Sequence, residues 1–80
     1  MKNIIILDKK IELQFNPKFY QINAIKESCK AFSEILKTRI EEKEQIKVTL
    51  YELDNEIDKK TIGLEFFNFC FGLMKNNSLI

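Results

Sequence analysis

The sequence predicts an α+β domain: a small, mainly antiparallel sheet with two helices packed on one face, in the order β-(β)-α-(β)-β-α. Three observations carry this expectation. Ile11, Leu13 and Phe15 alternate with polar neighbours, as do Ile46, Val48 and Leu50, which is the two-residue period of a half-buried strand. Ile22, Ile25, Cys29, Phe32 and Leu36 recur at helical spacing. The segment from about Lys59 to Lys75 has helical composition but is apolar around nearly its whole circumference.

At the start, "IIILDKKIELQF" reads as strand, turn, strand, with Asp8-Lys9 as the hairpin turn. Ile4 to Leu7 is a continuous apolar run, suited to a covered or interfacial strand. "NPKFY" ends the second strand, because Pro17 has no N–H for a ladder and suits a first helical turn with Asn16 as its cap. A helix is then expected over Gln21 to Lys37, with Ala24, Ala31 and Ile35 widening its apolar stripe. "RIEEKEQ" is charged and reads as a solvated link, with Arg39 to Glu42 as an optional short strand beside "QIKVTLYEL". "DNEIDKK" is a loop in which Asp58 or Thr61 caps the last helix. No repeat or linker divides the chain, so residues 1–80 are read as a single domain.

Composition narrows the chemistry. The chain has 80 residues, 13 basic and 12 acidic, a net charge of +1 and no His. Lacking His, it lacks the commonest general base and metal ligand. Charges of both signs are mixed along the chain and Arg39 is the only Arg, so neither nucleic acid nor an anionic membrane is an expected partner. The two Cys, Cys29 and Cys70, stand far apart inside apolar runs and read as buried reduced thiols, with no metal site. "MKNIIIL" is too short for a secretory core, and Gly63 to Met74 falls short of the roughly 20 residues that span a bilayer. A cytoplasmic protein without catalysis or cofactor is expected.

The last helix carries the functional signal. Four of the seven Phe lie between Phe66 and Phe71. On a helical wheel Ile62, Phe66, Phe69, Cys70 and Leu73 form one apolar band, with Leu64, Phe67, Phe71 and Met74 outside it. Glu65, Asn68, Gly72 and Lys75 form a narrow polar seam. A short two-helix domain cannot easily hide so much apolar surface by itself. Phe67, Phe71, Met74 and Leu64 are therefore the expected interface residues, with a homodimer through this helix as the expected assembly.

Two segments resemble a known family. "YQINAIKESCKAF" and "EFFNFCFGLMK", separated by the strand Ile46, Val48, Leu50, are similar to the small HxsD proteins of the His-Xaa-Ser system. Tyr20, Ala24, Phe32, Glu65, Phe66 and Asn68 match that pattern, whereas Lys75 stands where the family more often has Arg, and Phe69 where it often has an acidic residue. The resemblance implies an accessory protein that binds a precursor peptide or docks onto a radical S-adenosylmethionine enzyme. Peptide addition at Lys10 to Phe15 or Gln45 to Glu52, read as edge strands, would be one way to do so. The order of elements is also similar to the small dimerising subunit of the KEOPS complex, which implies a purely structural role as the alternative, beside an orphan homodimer.

Overall fold

The computed structural model describes residues 3–53, 56 and 58–78, with side chains through Lys75. Four strands and two helices follow one another as β1 (Ile4–Leu7), β2 (Lys10–Phe15), α1 (Ile22–Phe32), β3 (Lys37–Glu42), β4 (Ile46–Tyr51) and α2 (Lys59–Ser78). The strands form one antiparallel sheet in the order β1-β2-β4-β3. The α+β architecture and the order of elements are those read from the sequence.

Alternation sets the two faces of the sheet. Ile11, Leu13 and Phe15 stand opposite Leu50, Val48 and Ile46, and all six are buried under the helices. Their neighbours Lys10, Glu12, Gln14, Lys47 and Tyr51 face the other way and are half-buried. Ion pairs run across that second face, with Lys47 3.5 Å from Glu12 and 3.7 Å from Glu41. Partly exposed pairs of this kind contribute little each, about 0–1 kcal/mol. They mainly keep one face of the sheet polar.

Strand order corrects one expectation. Lys10 to Phe15 and Gln45 to Glu52 are not edges, because β2 and β4 pair with each other at the centre of the sheet. The edges are β1 and β3. Alternation within a strand records which face is covered, not which strands flank it.

The first helix is shorter than its apolar stripe. It ends at Phe32, whose carbonyl accepts from both Ile35 and Leu36, while the Ser33 hydroxyl donates to the Lys30 carbonyl. The chain turns there so that β3 begins at Lys37 and pairs with β4. Ile35 is left 78% exposed and Ala31 is exposed, so neither widens the buried stripe. Glu41 and Glu42 lie in β3, and the expected solvated turn shrinks to Lys43–Gln45.

Two turns use left-handed backbone. Lys9, second in the β1–β2 turn, has φ 61°, and Glu52, just past β4, has φ 57°. Leu53 N–H donates to the Lys9 carbonyl at 2.8 Å, which ties the two turns together and seats Leu53 in the core. Asp58 begins α2: its carboxylate accepts from Lys60 N–H, Thr61 N–H and the Thr61 hydroxyl. The Thr61 hydroxyl bond holds the Asp58 carboxyl below the usual carboxylate range, helped by the backbone bonds. Of the two expected caps, Asp58 is the one that accepts. The loop expected at 54–60 falls partly outside the described residues.

Candidate functional site

A shallow groove lies where the turn at 16–21 meets the C-terminal half of α2, lined by Pro17, Phe19, Tyr20, Phe71 and Met74 with Lys18 and Lys75. The turn is built by Asn16. Its side-chain oxygen accepts from Lys18 N–H, and its carbonyl accepts from Phe19 and Tyr20 N–H. Asn16 therefore closes a turn of its own rather than capping α1. The cap position belongs to Gln21, which makes no side-chain cap bond. Its N–H points instead at the Met74 sulfur, 3.3 Å away.

Tyr20 anchors this turn to the core. Its ring meets Phe15 edge-on at 5.0 Å and Phe67 at 5.9 Å, and Phe67 lies 4.4 Å from Phe15. With Tyr20 held inward, Phe19 is turned outward and is 73% exposed. On α2, Phe71 stands one turn beyond Phe67 and is 52% exposed. The Lys75 ammonium sits 5.3 Å from the Phe71 ring centre, a cation–π distance. The groove is thus flanked by two open phenyl rings and two cations, with no acidic residue among the described residues lining it. Such a surface accepts an apolar or aromatic side chain with a carboxylate beside it.

The expected interface residues divide. Phe71 is exposed and Met74 lines the groove, whereas Phe67 and Leu64 are half-buried and packed against the core. In the seam, Glu65, Asn68 and Lys75 are all exposed. The apolar band is corrected at Phe69, which is 41% exposed and touches Phe32 edge-on at the helix margin. Gly63 joins the buried side instead. Of the residues matching the family pattern, Ala24 and Phe66 are buried, and Tyr20 and Phe32 pack against the core; only Glu65 and Asn68 face outward. No family model matches the chain, and no curated protein or solved structure is significantly similar to it.

Elsewhere on the described surface, several charged groups pair within the chain. The larger basin at the far end of the sheet is lined by Lys9, Lys10, Lys37 and Arg39 as well as Asp8 and Glu52. There Lys37 pairs with Glu52 at 2.9 Å, Arg39 with Glu41 at 3.8 Å, and Lys10 sits 6.0 Å from the Tyr51 ring centre. Both cysteines are free and buried. Burial pushes each thiol up to about 11, with Thr38 at Cys29 and Ser28 at Cys70 pulling the other way, so neither is a poised nucleophile. None of the described helices is long and apolar enough to cross a membrane.

Phe19 is the groove residue that periodicity missed. It belongs to neither a strand nor a helix pattern, so alternation carries no signal for it. A Pro turn followed by two consecutive aromatics was the available clue, since only one of two adjacent side chains can turn inward.

Proposed function

We propose that the chain is a non-catalytic accessory protein that holds a segment of a partner polypeptide in the groove beside α2. The carrying observation is the exposure of Phe19, on the turn, and Phe71, on α2, beside a groove whose charged lining residues, among those described, are Lys18 and Lys75. Large apolar side chains left open beside cations suit a segment in which an apolar residue neighbours Asp or Glu. The HxsD resemblance supplies the setting: a precursor peptide of a His-Xaa-Ser system, or the radical S-adenosylmethionine enzyme that modifies it, acting in the cytoplasm.

The test is binding of a fluorescently labelled His-Xaa-Ser precursor peptide and, separately, of its modifying enzyme. The expected result is saturable binding of one of them that weakens at least tenfold in the double variant Phe19→Ser/Phe71→Ser, with its helical circular dichroism intact. Absence of binding to both partners overturns the proposal. Binding unchanged in the double variant overturns the placement at the groove. A purely structural subunit, as the KEOPS-like order of elements implies, would bind neither probe.

A further inference from the structure

Among the described residues, two other than glycine have left-handed backbone, Lys9 at φ 61° and Glu52 at φ 57°. Both line the basin at the far end of the sheet, and the bond from Leu53 N–H to the Lys9 carbonyl holds their turns together. Glycine would take this conformation without strain, at the loss of the charged side chain. Strain kept at two neighbouring positions marks those side chains as what is retained, and ligand clamps are places where such strain collects. Strand register builds the rest of the wall. Lys37 stands opposite Tyr51, and Lys10, next to the Ile11–Leu50 pair, lies 6.0 Å from the Tyr51 ring centre on its other side. Arg39 is two residues along β3 and so shares the helix-free face with Lys37. Among the described lining residues, four cations meet two acids, Asp8 and Glu52, which leaves a surplus of two positive charges.

We propose that this basin binds a small molecule bearing a phosphate or diphosphate group, held between Lys9, Lys10, Lys37 and Arg39. The basin measures about 990 Å³, room for a small molecule. The charges already present select the class of ligand. Lys37 and Arg39 are paired with Glu52 at 2.9 Å and Glu41 at 3.8 Å, in partly exposed pairs that contribute little each. A single carboxylate would only exchange one such partner for another. A phosphate group carries roughly two negative charges and several acceptor oxygens, so it engages cations from the β1–β2 turn, β2 and β3 at once. Tyr51 and Leu36 supply wall for the organic part of the ligand. β2 runs from Lys10 here to Phe15 beside the groove, so the two sites lie at opposite ends of that strand. This site does not rest on the accessory reading.

Inorganic pyrophosphate is the probe, titrated at constant ionic strength while backbone amide resonances are recorded. Saturable shifts are expected at Lys9, Lys10, Lys37, Arg39 and Glu52, and not at Lys18 or Lys75. Acetate at the same ionic strength is expected to give no saturable shift. The double variant Lys10→Gln/Arg39→Gln is expected to keep the spectrum of a folded protein and to bind pyrophosphate roughly tenfold more weakly. Glu52→Gln removes a competing carboxylate and is expected to tighten binding. Lys9→Gly relieves backbone strain yet is expected to bind more weakly, which separates the role of the side chain from a structural one. Shifts that never saturate, equal binding of acetate, unchanged affinity in the double variant or in Lys9→Gly, or weaker binding by Glu52→Gln would each overturn the proposal.

Discussion

The Cys70 thiol donates to the Ser28 hydroxyl at 3.0 Å, and that hydroxyl in turn donates to the Ala24 carbonyl at 2.8 Å. The chain of bonds is buried between the two helices, where Ala24, Ser28 and Cys70 are all at most 1% exposed. Small residues let the helices approach, and the hydroxyl avoids an unsatisfied buried group. Ser28→Ala removes the acceptor and is expected to cost about 1 kcal/mol in urea unfolding.

Alkali is expected to weaken the fold through the same region. Each thiol ionises near 9.0 once unfolded but resists ionisation to about 11 in the fold. Between those values the folded chain binds more protons than the unfolded one, so the thiols' contribution is constant below pH 9 and is lost as pH rises toward 11. The urea midpoint measured from pH 7 to 11 checks this. The double variant Cys29→Ala/Cys70→Ala should lose part of the decline.

Gly63 allows α2 to lie close on the sheet. A Cβ there would come within 3.1 Å of Ile4 Cδ1 and 3.2 Å of Leu13 Cδ2. Both neighbours are side-chain ends that can give by a few tenths of an ångström. For Gly63→Ala this crowding offsets a helix-propensity gain of up to about 1 kcal/mol, so the change is expected to be near neutral. Gly63→Leu has no such room and is expected to cost roughly 1–3 kcal/mol, measured by the denaturation midpoint.

Phe67 and Phe71 lie one turn apart yet should respond oppositely. Phe67 lies tilted against Phe15 and edge-on to Tyr20, so Phe67→Ser removes aromatic packing and is expected to cost roughly 3 kcal/mol or more. Phe71→Ser takes away an exposed ring and should stay within about 0.5 kcal/mol of the parent protein. Thermal unfolding of the two variants distinguishes a core position from a contact position.

The β1–β2 turn holds a correctable strain. Lys9 sits at φ 61°, a region that costs an L residue roughly 1–2 kcal/mol relative to right-handed backbone. Lys9→Gly removes that cost, with part of the gain lost to the freer unfolded chain, and should stabilise by about 0.5–1 kcal/mol in urea. Lys9→Val should destabilise.

Much of this arrangement was legible in the sequence, and the gaps have physical causes. Period-two alternation placed β2 and β4 and chose their buried faces. It is a property of one strand, so it could not say that these two pair with each other at the centre. The stripe from Ile22 to Leu36 found α1 but overran it, because Leu36 packs against the core from the turn that follows. On α2 two rings, Phe69 and Phe71, stay exposed, and the wheel did not show which ones. Phe67 points at Phe15 and Phe69 outward because α2 packs against both the sheet and α1, which no wheel drawn from one helix contains. Lys9 and Glu52 gave no sign of their left-handed backbone, since neither is a residue type that favours it.

The contrast between the two rims of the sheet bears on how the protein behaves when crowded. Fibre growth by strand stacking requires adhesion on both flanks of every subunit, and here the β3 flank presents alternating ammonium, guanidinium and carboxylate groups. A molecule sticky on one side only is terminated by its first partner. Erasing the β3 charges would remove the barrier to such stacking on that flank.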